Sequence, residues 1–378
     1  KGTTLDTIEP GTGKILVMAQ NTVYSNAAAI GNTVLNLSVD HADGGGNGFQ
    51  PGSTVKTVTF ADWLNEGHSM NETVDASQRI YPASFPWKAS CVPDKHYFGN
   101  YDNTGTDGPP LPNDETGWYK PMTVLDGIAH SINTATFASA AKLDLCNLNE
   151  IGKEMGLHGA VDGTPLDWTG GISSLIGGGK AVAPLTMANG FATFASGGVY
   201  CNPTAITAIT DYQGKKYPVP GSDCKQTMKP EVAAGVNYAL QEVITKGSAY
   251  GLSIGTPAAA KTGTTDSSTQ TWMIGYTPKL ATASWWGTWN SAGRQDALDY
   301  TYKGKTYPQV DGAYIAGPQW QNYMKQAVQF YPSQGWQAPP ANMLAYPNAP
   351  RTTTPPSSPP ANNGGNDKGN GNKGNGNG

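Results

Sequence analysis

Gln50-Pro51-Gly52-Ser53-Thr54-Val55-Lys56 is followed by Val58, Phe60, Trp63 and Leu64. Pro51-Gly52 predicts a turn, and the apolar residues after it predict a buried helix with Ser53 at its N-terminus. At i and i+3, Ser53 and Lys56 share one helix face, close enough for direct proton transfer. A helix start also offers unpaired backbone N–H groups and the positive end of a dipole, both suited to developing negative charge. A serine, an adjacent amine and such donors are the parts of a nucleophile activated for acyl transfer.

The Ser-x-x-Lys spacing occurs three times, so context must select among the copies. Ser139/Lys142 lies inside an Ala-rich helical stretch, Thr136 to Leu143, where no free N–H groups stand beside the hydroxyl. Ser222/Lys225 follows Pro220-Gly221 in a polar loop with no helix after it. Both read as solvated surface pairs, and Ser53/Lys56 is the candidate. Ser-x-Asn occurs at Ser69–Asn71 and Ser131–Asn133. The first falls just past Gly67, at the end of the Ser53 helix, too near in sequence to fold back onto Ser53. The second sits between helical stretches predicted over 122–130 and 135–143, where a short connection faces a cleft. Alone it would be a helix cap, since Ser and Asn both favour that role.

Lys261-Thr262-Gly263-Thr264-Thr265 occurs once as Lys-Thr-Gly and reads as an extended strand. Its Gly lets a ligand backbone approach closely, and β-branched Thr suits a pleated surface. Trp272 to Tyr276, the Thr277-Pro278-Lys279 turn and Leu280 to Gly287 then complete an antiparallel meander over 261–287. At the other end of the chain, Leu5–Ile8 and Ile15–Met18 flank Glu9-Pro10-Gly11-Thr12-Gly13 as a hairpin. Residues 53 to about 200 are mainly helical, broken by a Pro/Gly/Asp-rich excursion at 82–121. Val232, Val236, Leu240 and Val243 space a helix over 229–248, and Trp320, Tyr323, Met324 and Ala327 another over 317–329. The expected fold class is therefore α+β. An antiparallel sheet built from both ends of the chain is covered by helices, with a mostly helical lobe and the active site in the cleft between them.

The chain resembles the transpeptidase domain of a penicillin-binding protein, and is most similar to the bifunctional class A type. The resemblance rests on residues 50–56, 131–133, 261–265 and 272–278, with support from 184–188 and 194–200, and it spans about residues 5 to 330. It implies Ser53 as the acylated nucleophile and Lys56 as its general base. Ser131 would shuttle a proton to and from the leaving or attacking amine. Asn133 would orient Lys56 and the substrate amide, and Lys261 would stabilise charge. Thr262 and Thr264, with Gly263 between them, would bind the substrate carboxylate, and the N–H groups of Ser53 and Thr264 would form the oxyanion hole. A Lys is a base near neutral pH only when its pKa is depressed; burial and a second cation do that, and Lys261 is the candidate cation.

The implied activity is a D,D-transpeptidase acting on peptidoglycan stem peptides. A D-Ala-D-Ala donor acylates Ser53, an amine acceptor takes the acyl group, and β-lactam antibiotics mimic the donor. Neither a cofactor nor a metal is required. A D,D-carboxypeptidase, a β-lactamase or a β-lactam sensor remains open. A class A β-lactamase would carry Glu-x-x-x-Asn downstream of Ser-x-Asn, and the fitting region, Asp162–Gly171, contains no Glu. The implied location is the extracytoplasmic face of the bacterial cell membrane, in the cell wall.

The 378 residues carry a net charge of −4, with no basic stripe for nucleic acid and no apolar run of the roughly 18 residues that span a bilayer. Because the chain starts at Lys1 and enters a strand almost at once, it is expected to be a fragment. The resemblance places a membrane anchor and a glycosyltransferase domain before it. Cys91, Cys146, Cys201 and Cys224 lack Cys-x-x-Cys spacing, which speaks against zinc. Four cysteines allow three pairings, and Cys201–Cys224, which bracket a Pro/Gly-rich excursion, are the favoured one. Asp40-x-x-Asp43-Gly44 is too incomplete for a calcium loop. Gly177-Gly178-Gly179-Lys180 fails as a nucleotide loop, since Ser174 stands where the first Gly belongs and Ala181 follows the Lys. His130 abuts Ser131, but the sequence places no carboxylate partner for a Ser–His arrangement. Residues 1–335 form the expected catalytic domain, and 336–378, rich in Pro, Asn and Gly, a disordered tail.

Overall fold

Both ends of the folded chain meet in one sheet. In a computed structural model describing residues 1–101, 108–291 and 294–347, β1 (Gly2–Glu9) and β2 (Lys14–Gln20) form the N-terminal hairpin. β3 (Ala259–Thr264), β4 (Gln270–Thr277) and β5 (Leu280–Gly287) form the later meander. The order is β3-β4-β5-β1-β2, antiparallel throughout, with Leu5 opposite Ser284 where the two hairpins join. The sheet leaves β3, the Lys-Thr-Gly strand, as an edge.

Seven helices matter for the site. They are α1 (Lys56–Asn65), α2 (Val124–Ala129), α3 (Asn133–Ala140), α4 (Leu145–Glu154), α5 (Pro184–Ala195), α6 (Pro230–Thr245) and α7 (Ala316–Ala327). Successive strand residues point to opposite faces, so β4 and β5 serve two helix layers. On one face Trp320 of α7 lies over Gly275, where a Cβ would come within 2.4 Å of the indole. Its ring N–H donates to the Gly275 carbonyl at 3.0 Å. Ser284 Oγ donates to Ala316 O on the same face. On the other, Tyr276 packs against Phe191 of α5 and donates its hydroxyl proton to Asn237 Oδ1 of α6 at 2.9 Å. Every residue of α5 is buried, so it is the central rod of the core.

Most expected elements are found with shifted ends. The 122–130 helix starts at Val124, because Pro121–Thr123 pairs as a strand with Thr73–Asp75 and Thr123 caps the helix by accepting from Asp126 N at 3.0 Å. The 135–143 helix starts at Asn133, making that residue the first of its helix. Residues 336–347, expected to belong to the disordered tail, are instead packed. Met343 is buried in a short turn over Ala341–Leu344, Met70 N donates to Met343 O, and Trp336 Nε1 donates to Ala195 O. Two apolar anchors in a polar run were enough to order it. The rest of that expected tail, 348–378, lies outside the described residues, as do 102–107 of the 82–121 excursion.

The structure closes both Cys201–Cys224 and Cys91–Cys146. In the Asp40–Gly44 stretch, Asp40 Oδ2 pairs with His158 Nε2 at 2.8 Å. No group of metal-binding side chains, and no helix long and apolar enough to cross a membrane, occurs among the described residues.

Candidate active site

Ser53 does not open an α-helix directly. Gly52–Val55 is a 3-10 turn, and α1 begins at Lys56, whose N–H donates to Ser53 O. In a 3-10 turn, side chains at i and i+3 eclipse, which stacks Lys56 on Ser53 more directly than an α-helix would. Glycine is required at the turn. Gly52 has φ +53°, and a Cβ there would lie 2.7 Å from Thr264 O. A Cβ on Gly177 would lie 2.2 Å from Gly52 O. The Ser53 turn is thus wedged between the end of β3 and the 177–179 loop. Pro51, Val55, Trp168 and Gly177 also border a cavity of about 230 Å3.

Ser131 sits between α2 and α3 at φ +61°, a left-handed conformation that is strained for a residue with a Cβ. Bonds on either side hold it there: Ser131 N to Ile128 O at 3.2 Å and Ile132 N to Gly127 O at 2.8 Å. The turn aims both its carbonyl and its hydroxyl at the lysines. Lys56 Nζ donates to Ser131 O at 2.6 Å and to Asn133 Oδ1 at 2.5 Å, and lies 3.4 Å from Ser131 Oγ. Lys261 Nζ donates to Ser131 Oγ at 2.7 Å and to Thr262 O at 2.9 Å. Asn133 is braced by donating to Pro112 O at 2.7 Å. Ser131, Asn133, Lys56 and Lys261 form one connected cluster, joined across three separate stretches of chain.

Both amines are fully buried. Burial pushes Lys56 down to about 7, opposed by the through-space pull of Asp114. Burial likewise holds Lys261 well below its usual range, and repulsion from Lys56 lowers it further. The sequence reading named burial and Lys261 as the two causes that depress Lys56. Burial is the main cause at both amines, and the repulsion between them falls on Lys261. Two acceptors fix two N–H bonds of Lys56, so its neutral form keeps a lone pair free for a proton.

The rival motifs are accounted for by local structure. Ser139 is not the solvated surface residue expected: it is buried in α3 among packed helices, where its Oγ donates to Ala135 O, and Ser69 Oγ donates to Met343 O at 2.9 Å. Both hydroxyls are engaged by backbone carbonyls outside the lysine cluster. His130 packs its ring, tilted by 32°, against Trp118 instead of serving Ser131. Three contributors had no motif to announce them. Gly312 N donates to Thr264 Oγ1 at 3.2 Å, Ser248 Oγ meets Thr262 Oγ1 at 2.6 Å, and Asp114 acts on both lysines. Gly177 was visible as part of a Gly run, but its partner Gly52 lies far away in sequence.

Comparison with known proteins agrees with this architecture. Residues 7–309 match the penicillin binding protein transpeptidase domain family. Penicillin-binding protein 1A of Aquifex aeolicus is 30% identical over 298 residues, which cover 78% of this chain and 35% of that protein. Penicillin-binding protein 2D of Bacillus subtilis is 28% identical over 299 residues, 77% of this chain and 37% of that one. The chain therefore spans about a third of the length of these relatives. The penicillin-binding protein PonA1 of Mycobacterium tuberculosis superposes with a TM-score of 0.63 at 18% identity, covering 89% of this chain and 80% of that one. A structure of PonA1 in complex with penicillin V gives 0.62 at 19%, over the same shares of the two chains. At these identities the structural likeness concerns the fold. Since the family match extends over most of the chain and runs through all three motifs, this protein belongs to the penicillin-binding-protein transpeptidase domain family.

Proposed function

We propose that this chain is a peptidoglycan D,D-transpeptidase working through an acyl-enzyme on Ser53, on the extracytoplasmic side of a bacterial membrane. The observation that carries the reading is the unbroken hydrogen-bond chain Lys56–Ser131–Lys261 beside the Ser53 turn. Neutral Lys56 takes the Ser53 proton as Oγ attacks the penultimate D-Ala carbonyl of a donor stem peptide. The N–H groups of Ser53 and Thr264 stabilise the oxyanion. Collapse breaks the peptide bond, and Ser131, resupplied from Lys56, protonates the departing D-Ala amine. An acceptor amine then attacks the ester, gives its proton back through Ser131, and restores Ser53. Lys261 holds the Ser131 hydroxyl in line and adds positive charge for the donor carboxylate at Thr262 and Thr264. A β-lactam enters by the same first step and leaves a slowly released ester. Among the described residues from Asp162 to Gly171 there is no glutamate to activate water, which favours aminolysis over fast hydrolysis.

The test is incubation with benzylpenicillin followed by peptide mass mapping. One adduct on the Ser53 peptide is expected. Absence of an adduct, or an adduct that survives in Ser53→Ala, overturns the reading. Product analysis with and without an acceptor amine then separates transpeptidation from carboxypeptidation.

A further inference from the structure

We propose that Ser248 is a positioning residue that orients the Thr262 hydroxyl toward the terminal carboxylate of the donor. The inference rests on the transpeptidase reading above.

Ser248 lies in the turn that follows α6, at the junction of the two walls of the cleft. Its backbone N–H donates to Ala129 O at 3.0 Å, two residues before Ser131. Its hydroxyl meets Thr262 Oγ1 at 2.6 Å, in the Lys-Thr-Gly strand. One residue thus ties the Ser131 turn to β3, the two elements whose separation sets the Ser131–Lys261 bond.

The approach is made possible by Gly247. A Cβ there would fall 2.0 Å from Ala129 O and 2.9 Å from Val243 Cα, so no other residue fits without moving the Ser131 turn. The turn is also pinned from behind, by Gly247 N to Glu242 O at 2.8 Å and Ala249 N to Val243 O at 3.0 Å. Ser248 is therefore rigidly placed, although it carries no recognisable motif.

Hydroxyl chemistry then gives the pair a direction. A hydroxyl has one proton to donate and two lone pairs. When Thr262 donates to an anion, it has only lone pairs left for Ser248, so Ser248 must be the donor between them. A hydroxyl that accepts a hydrogen bond is a better donor in turn, and the pair acts as a short polarised relay ending on the carboxylate. With Ser248 removed, the Thr262 hydroxyl is free to rotate away, and binding loses preorganisation that is specific to an anionic ligand.

The experiment compares the acylation rate constants of benzylpenicillin and its methyl ester, in the wild-type chain and in S248A and S248T. The readout is the carboxylate-to-ester ratio. It is expected to fall about five- to tenfold in S248A, the size of one hydrogen bond between neutral groups, and to return in S248T with an unchanged melting midpoint. An unchanged ratio in S248A overturns the proposal. So does a parallel fall for both compounds with a lowered melting midpoint, since that marks a structural role alone. If the wild-type chain takes no adduct from either compound, the transpeptidase reading fails and the role of Ser248 falls with it. A change confined to the ratio tests Ser248 by itself.

Discussion

At the scale of the residue, Lys56 carries the sharpest consequence. Its folded-state pKa of about 7, set by burial, means that the amine becomes a base as pH rises through that value. Acylation of Ser53 by penicillin is expected to rise with pH and level off above about 7, which a stopped-flow pH profile reads. Lys56→Arg keeps a cation but cannot give up its proton, and is expected to lose about 10^3-fold, in the range of general-base contributions. A Lys56→Arg enzyme acylating at near wild-type rate would remove Lys56 from the role of base. The same shift is linked to stability. The unfolded lysine, near 10.5, binds more protons than the folded one between about 7 and 10.5. The contribution of Lys56 is therefore fully present above 10.5 and is lost as pH falls through about 7. Ser53 and Lys56 were legible from a turn followed by apolar periodicity. Their local geometry was not, since a 3-10 turn and an α-helical start have the same residue pattern.

At the scale of the element, the Ser53 turn is held by contacts between glycines remote in sequence. Gly177 has φ +89°, and its Cβ would meet both the O and the N of Gly52, at 2.2 and 2.4 Å. Gly179 has a similar φ of +95° but open space around it. Gly179→Ala should therefore cost only backbone strain, about 1–3 kcal/mol. Gly177→Ala should cost more and also displace Ser53. The expected outcome is slower acylation in Gly177→Ala than in Gly179→Ala when the two are compared at equal folded fraction, measured by penicillin adduct formation. Equal acylation would show that the Gly52–Gly177 contact does not position the nucleophile. The Ser131 turn makes a related point. Its sequence is compatible with a plain helix cap, and its left-handed backbone is selected by bonds to Ile128 and Gly127 and by the lysines it must reach.

At the scale of the whole molecule, a carboxyl group is sealed into the main sheet. Asp6 on β1 is fully buried, and burial raises its pKa to about 8. The hydroxyls of Ser38 and Thr4 stand near enough to favour the ionised form, yet none of these atoms makes a well-formed hydrogen bond to a protein group. The folded chain therefore keeps a proton that the unfolded chain, near 3.8, releases. The stabilisation from Asp6 is fully present below about 3.8 and is lost as pH rises through about 8. Thermal melts should show a midpoint that declines over this window, and Asp6→Asn should flatten the decline. An unchanged pH dependence in Asp6→Asn would show that burial in the sheet does not hold the proton on this carboxyl.

Periodicity and turn chemistry were sufficient for the sheet hairpins, the helix that follows Ser53, and the residue types of the candidate site, because each depends on neighbours within a few positions. The pairing of the N-terminal hairpin with the 259–287 meander agreed with a resemblance as much as with pattern. The packing of 336–347, the Gly52–Gly177 wedge, the Ser248 tie and the bonds by which the Ser131 turn bridges Lys56 and Lys261, a pair the resemblance had already brought together, were legible only in three dimensions. Each is a contact between stretches far apart in sequence, set by close packing and by the need of buried polar groups for partners, and neither leaves a spacing in the chain.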